Sequence, residues 1–272
     1  MRVLFLGDIV GRAGREAVCK NLSQIKQDHK INFTVANCDN VSAGFGINRN
    51  AYDELVEAGV DVLTGGDHIW DQREINSFIN DAKKLLRPHN FPKSCPGVGA
   101  RIFVDSQERK ILVIHLLGQV FIKYHVNCPF ACAEELLTNN VLGKDVDVII
   151  VDFHAEATSE KMAMAKFLDG KVSLVIGTHT HIPTNDAHIL NAKTAYQTDA
   201  GMCGDYDSVI GMDKNIPLQM FLHKRKFDKF QVAQGQATIC GAVVELNKSG
   251  LATQIYPIKI GGILGQDFKN KN

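Results

Sequence analysis

Val172-Ser173-Leu174-Val175-Ile176-Gly177-Thr178-His179-Thr180-His181 is an apolar run that stops at a glycine, with two histidines at alternate positions beyond it. A short aliphatic, β-branched run bounded by glycine reads as a buried strand. Four other stretches share this build. They are Arg2-Val3-Leu4-Phe5-Leu6-Gly7-Asp8, then Val35-Ala36-Asn37-Cys38-Asp39-Asn40, then Val62-Leu63-Thr64-Gly65-Gly66-Asp67-His68, and Val148-Ile149-Ile150-Val151-Asp152-Phe153-His154. Each run ends on a carboxylate, an amide or an imidazole.

Working outward, strands are expected over 2–7, 32–37, 60–64, 111–116, 146–153 and 172–176. Helices are expected over 14–29, 49–58, 133–139 and 159–168, with Gly59 suited to a helix C-terminus. In the last third, 195–198, 237–246 and 255–260 read as strands with little helix between them. Alternating strand and helix implies a partly parallel α/β sheet. The strand-rich C-terminal part suggests a second, mixed or antiparallel sheet. Two sheets with helices outside make a four-layer α/β/β/α sandwich. The proline-rich stretch 88–96 reads as a surface excursion. With no linker or repeat, residues 1–272 read as a single domain.

Composition excludes several classes. The chain has 272 residues, 45% hydrophobic and 22% charged, which argues against a disordered or fibrous protein. Lys+Arg and Asp+Glu are 30 each, so no overall basic footprint points to a stable nucleic-acid partner. No apolar run is long enough to span a bilayer. The N-terminus reaches Asp8 too soon for the apolar region of a signal peptide. A cytoplasmic protein with no membrane contact is expected. The seven cysteines are scattered, and Cys128 and Cys132 fit neither a redox nor a zinc spacing, so reduced, mostly buried thiols are expected.

The chemistry lies at the strand ends, where open α/β folds bind ligands. Each residue alone has an ordinary explanation. Asp8 could cap a helix, Asp67 and His68 could form a turn, Asp39 and Asn40 suit a loop, and His179 and His181 could be hydrogen-bonded core histidines. Five such endings in series are hard to explain as packing. Carboxylate, amide oxygen and imidazole are hard-to-borderline metal ligands. Roughly seven of them exceed the ~4 that one zinc takes. Two ions sharing a carboxylate would use them all, and two-metal sites clamp the oxygens of a phosphoryl displacement. Gly7, Gly11 and Gly14 form neither a dinucleotide fingerprint nor a P-loop, and no G-x-S-x-G elbow is present.

Several segments together resemble the calcineurin-like metallophosphoesterase superfamily, and in particular its YmdB-like branch of bacterial phosphodiesterases. They are Gly7-Asp8-Ile9-Val10-Gly11-Arg12, Ala36-Asn37-Cys38-Asp39-Asn40, Gly44-Phe45-Gly46-Ile47, Asp67-His68-Ile69-Trp70-Asp71, the run from Val151 to Lys161, Gly177-Thr178-His179-Thr180-His181, and Asp207-Ser208-Val209-Ile210-Gly211. The resemblance implies a metallo-dependent phosphatase-like sandwich with two metal ions, iron or manganese. It implies Asp8, Asp39, Asn40 and His181 on the first ion, and Asp67, His154 and His179 on the second, with Asp39 bridging. His68 would be a catalytic histidine that is not a ligand. The activity implied is hydrolysis of a phosphodiester, 2′,3′-cyclic nucleotides included, by a metal-bridging hydroxide with His68 assisting. The partner would then be a small phosphodiester or nucleotide; association into a homo-oligomer stays open. Two departures stand out: the family usually has Glu where Asp39 stands and Asn where Asp67 stands. Both remain oxygen donors. Alternatives are a phosphomonoesterase or phosphoprotein phosphatase, and a metal-binding regulatory protein with reduced catalysis. Retention of His68 argues against the latter. A metal-dependent amidohydrolase fits less well, because its His-x-His stands on an early strand.

Overall fold

The computed structural model describes residues 1–225 and 228–265. In chain order its elements are β1 (Arg2–Leu6), β2 (Asp8–Ile9), α1 (Gly11–Asp28), β3 (Phe33–Asn37), α2 (Arg49–Glu57), β4 (Val62–Thr64), α3 (Ile75–Phe78), β5 (Leu85–Leu86), β6 (Ala100–Val104) and β7 (Lys110–Leu117). There follow α4 (Pro129–Thr138), β8 (Val148–His154), α5 (Thr158–Leu168), β9 (Leu174–Thr178), β10 (His188–Ile189), β11 (Ala195–Gln197), β12 (Met202–Asp205), α6 (Asn215–His223), β13 (Ala237–Leu246) and β14 (Ala252–Ile260).

These strands form two sheets. The first runs β2-β12-β13-β1-β3-β4-β5, with β14 also pairing β13. The second runs β10-β11-β9-β8-β7-β6. Strand alternation sets the layers, because successive side chains point to opposite faces. From β8, Val148 and Ile150 join a core that also holds Phe5, Val35, Val62 and Ile176, so this core lies between the sheets. Ile149, Val151 and Phe153 point the other way, into a core with Ala133, Met164 and Leu168 of α4 and α5. Leu4, Leu6 and Leu63 likewise face Val18, Leu22 and Leu55 of α1 and α2. The four-layer α/β/β/α sandwich is the observed architecture.

The origin of the second sheet differs from expectation. It is built from the middle of the chain: β7, β8, β9 and β11 run parallel, with antiparallel edges β6 and β10. Of the expected C-terminal strands, 195–198 is β11 of this second sheet, whereas the other two join the first sheet, β13 antiparallel to β1 and β14 antiparallel to β13. The long apolar β13 is buried along nearly its whole length, which a central strand requires and an edge does not. The last third also contains α6, which was not expected. Its Ile-Pro-Leu-Gln-Met-Phe-Leu core is apolar on most sides, so no helical period shows. Nor is 88–96 a surface excursion throughout. Asn90 is fully buried, its amide donating to the carbonyls of Leu117 and Asn127 while its oxygen accepts from the Leu117 amide.

All seven cysteines are free thiols, but only Cys38, Cys203 and Cys240 are buried, and Cys128 is exposed. Among the described residues, no helix is long and apolar enough to cross a membrane.

One polar layer closes the core between the sheets. Asn37, Thr64, Asp152 and Thr178 each follow the last inter-sheet apolar residue of their strand by two positions, so they point into the same space. All four are fully buried. Asp152 accepts from Thr64 at 2.6 Å, Asn37 at 3.0 Å and Thr178 at 2.7 Å. Buried polar groups must be hydrogen-bonded, and these satisfy one another while forming a floor for what lies beyond.

Candidate metal centre

Beyond that floor the chain gathers all seven ligand-type residues, and they come from the strand ends of both sheets. Asp8, Asp39, Asn40 and Asp67 follow β1, β3 and β4, whereas His154, His179 and His181 end or follow β8 and β9. Asp8 is not a helix cap: Val10 stands at the N-terminus of α1, and no side chain caps it.

The first group holds acceptors only. His181 donates from Nδ1 to the Ile210 carbonyl at 2.8 Å. A carbonyl can only accept, so in the neutral ring Nε2 carries the lone pair. Burial keeps this ring neutral by pushing its pKa down. Nε2 lies 3.1 Å from Asn40 Oδ1 and 3.9 Å from Asp8 Oδ1. The Asn40 amide nitrogen is committed to the Gly44 carbonyl at 3.0 Å, which fixes its oxygen toward His181. Asp8 Oδ2 accepts from the His179 backbone at 3.2 Å, while Oδ1 is buried with no hydrogen-bond partner. With Asp8 ionised, a carboxylate oxygen, an amide oxygen and an imidazole nitrogen converge with no donor between them.

The second group is oriented from below. The Thr178 hydroxyl donates to ionised Asp152, so Thr178 Oγ1 accepts from His154 Nδ1 at 2.9 Å. The lone pair of His154 is thereby placed on Nε2. That atom lies 3.4 Å from Asp67 Oδ1, 3.4 Å from Asp39 Oδ2 and 3.0 Å from His179 Nδ1. Asp67, His154 and His179 are arranged so that they could hold a metal ion, as are Asp39, Asp67 and His68. Gly66 is required here, because a Cβ at this position would come within 2.4 Å of the His154 ring.

Electrostatics describe a site short of positive charge. Burial, reinforced by the charge of Asp199, pushes the Asp8 carboxyl up to about 8. Burial and then the charge of Asp67 push Asp39 well above its usual range. Burial pushes His154 down to about 3, against the pull of Asp67. For Asp67 burial acts upward, but the adjacent His154 and His179 rings outweigh it and hold the carboxyl low. Burial acts downward on His179 too, but the hydrogen bond and charge of Asp67 outweigh it and push this ring up, so only His154 and His181 are held neutral; a divalent cation binds the deprotonated forms.

His68 stands at the edge of this cluster. Its backbone N–H donates to both oxygens of Asp39 at 3.1 Å. Its ring Nδ1 lies 2.7 Å from Asp71 Oδ2, and Nε2 lies 4.0 Å from Asp67 Oδ1.

Sequence reasoning missed several supporting residues. Asp71 orients His68 from three positions on. Asp152 and Thr178 orient His154, and Glu156 meets His179 Nε2 at 3.2 Å. Buried Lys161 donates to Asp199 at 2.7 Å. The same Asp199 oxygen accepts from Thr180 N and Oγ1, between the two histidines. Only the i, i+3 spacing of His68 and Asp71 was a local signal; the other pairs are far apart in sequence.

The family model described as YmdB-like protein matches residues 4–258. A 2′,3′-cyclic-nucleotide 2′-phosphodiesterase of Bacillus subtilis (strain 168) is 40% identical over 247 residues, 91% of this chain and 92% of that one. Two solved structures superpose closely. A hypothetical protein of Thermus thermophilus gives a TM-score of 0.89 at 36% identity, covering 97% of this chain and all of that one. A structure from Mycoplasma pneumoniae described as a novel phosphatase gives 0.88 at 34% identity, covering 96% and 93%.

Proposed function

The chain belongs to the YmdB-like family, and we propose that it is a di-metal phosphodiesterase acting on nucleotide phosphodiesters, 2′,3′-cyclic nucleotides among them. The observation that carries this reading is the donor-free convergence of Asp8 Oδ1, Asn40 Oδ1 and His181 Nε2 beside a second group of Asp67, His154 and His179. Acceptors buried face to face repel unless a cation lies between them. Asp8, Asp39, Asn40 and His181 would hold one ion and Asp67, His154 and His179 the other, with Asp39 shared. The donor set of oxygens and imidazoles fits iron or manganese and lacks the thiolates that would favour softer ions. We read residues 1–272 as one such domain working in the cytoplasm; positions 226–227 and 266–272 lie outside the described residues.

When bound, the two ions supply charge neutralisation at the phosphoryl oxygens and activate water. The chain supplies the rest. Asp152 and Thr178 hold His154 in the tautomer that presents Nε2. The His68 amide holds Asp39 in place. Asp71 fixes the His68 ring through Nδ1, leaving Nε2 to meet the substrate. As the P–O bond to the leaving oxygen breaks, His68 gives that oxygen a proton.

Elemental analysis of freshly purified protein should find about two metals per chain. Protein that holds none, and takes up none from manganese or iron, would sink this reading. With metal present, the loaded enzyme should turn over a cyclic diester faster than the matching monoester. The reverse order would make it a phosphomonoesterase.

Asp67 gives a separate expectation. Restoring the family's usual amide with Asp67→Asn removes a negative charge from the second group, so the site should need more metal to saturate. Turnover should persist once it is saturated, because an amide oxygen still ligates. Titrating metal against diester hydrolysis for both proteins tests this. Collapse of kcat at saturating metal would mean that Asp67 does more than ligate.

A further inference from the structure

A cavity of about 690 Å³ opens directly above the metal-binding cluster. His68, His179 and His181 form its floor. Phe45 lies against His68 at this floor, and the wall includes Ile210, Met220, Phe221 and Phe230, with Lys224 just past α6. The lining also includes Asn40 and Thr180, whose side-chain donors go to the Gly44 carbonyl and to Asp199, and Glu156, which meets His179. The helix behind it is unusual for a soluble domain. Of its residues only Pro217 is buried, while Leu218, Phe221 and Leu222 are 51%, 69% and 62% exposed. Its cavity face is Pro217, Met220, Phe221 and the following Lys224, whereas Leu218 and Leu222 do not line the cavity. The size is that of a small-molecule pocket, and apolar walls with a few polar groups at one end are the usual build of one.

Resting on the phosphodiester reading, we propose that this cavity takes the nucleoside of the substrate. The α6 wall with Phe45 and Phe230 grips the base by its faces and apolar edges, so the enzyme does not discriminate between bases. The scissile phosphate must lie on the cluster floor, which leaves the base facing α6. Every base has a π-face, whereas only a donor and acceptor pattern can tell one base from another. Lys224, on a mobile four-carbon stem, supplies charge at the rim without fixed direction.

The test uses the metal-loaded full chain and Phe221→Ala, whose exposed side chain can be removed without opening the core. Substrates are the four 2′,3′-cyclic nucleotides and a base-free control, methyl riboside 2′,3′-cyclic phosphate. For wild type, KM should agree within a few-fold across the four bases and be much higher for the control. In the variant, KM for the nucleotides should rise on the order of tenfold, the loss typical of removing a stacking contact, with kcat and metal content kept. KM for the control should not move. Strong discrimination between bases in wild type, or an unchanged nucleotide KM in Phe221→Ala, overturns the proposal. An unchanged KM with a shift in sedimentation would assign α6 to contact between copies of the chain instead. Equilibrium binding of 3′-AMP separates the two readings. If no diester is hydrolysed but the variant binds 3′-AMP more weakly, the phosphodiester reading fails and the subsite stands. If diesters are hydrolysed and 3′-AMP binding is unaffected, the subsite fails alone.

Discussion

Replacing His68 with alanine lowers kcat by about 10²–10⁴ and leaves the metal content unchanged, the loss typical of removing a general acid. Two features of the geometry separate these effects. The hold on Asp39 comes from the His68 backbone amide, which alanine retains. The ring is anchored elsewhere, with Nδ1 2.7 Å from Asp71 and an edge contact to Phe45 at a 5.0 Å ring separation. Truncation would therefore remove the proposed proton donor without releasing Asp39. Metal analysis alongside single-turnover kinetics distinguishes the outcomes. Loss of metal would make His68 a ligand, as its grouping with Asp39 and Asp67 allows. Full activity would make it a bystander. Asp71→Asn should fall between wild type and alanine, because the ring remains but is no longer held in one orientation.

Local pattern makes most of this readable in the sequence. The buried strands are short, apolar and bounded by glycine or polar residues, so β13 was legible to the residue and β3 within one position. The seven ligand-type side chains were legible because the strand ends put them in one register of the sequence, each just past an apolar run. That they come from two sheets was not legible, since the order of strands in space is not a local property. The same limit hid Asp152. It ends an apolar run like the others, but its partners Thr64 and Thr178 sit on different strands in different sheets, and only packing brings them within 3 Å. Helix α6 was missed for a different reason: an apolar segment without a polar face has no period to detect. Asn90 was hidden by its surroundings, because prolines and polar neighbours describe a loop without saying which way it folds.

Lys161 is the strongest instance, and its replacement is the other large effect. Lys161→Met should cost about 3–5 kcal/mol of stability, the range for breaking a buried ion pair from one side. On α5 it reads as a surface lysine, yet its side chain is 1% exposed and its partner Asp199 is fully buried. Removing the amine leaves a carboxylate without countercharge in the interior. Asp199 would still accept from Thr180 N at 3.1 Å, Thr180 Oγ1 at 2.8 Å and Gly201 N at 2.8 Å. Thr180 lies between His179 and His181, both of which hold a left-handed backbone, and the Gly201 carbonyl accepts from the Asp8 amide at 3.0 Å. One carboxylate therefore fixes the turn that presents two imidazoles and the backbone that presents Asp8. The two partners should fail differently. Lys161→Met loses stability but keeps metal affinity wherever it stays folded, because the donors around Asp199 are intact. Asp199→Ala loses both, since the histidine turn is released as well. Denaturant titration of the metal-free proteins, paired with metal titration below the unfolding midpoint, reads the two effects separately. A Lys161→Met midpoint close to wild type would mean the pair is replaceable by apolar packing. Unchanged metal affinity in folded Asp199→Ala would mean that the turn holds its shape without it.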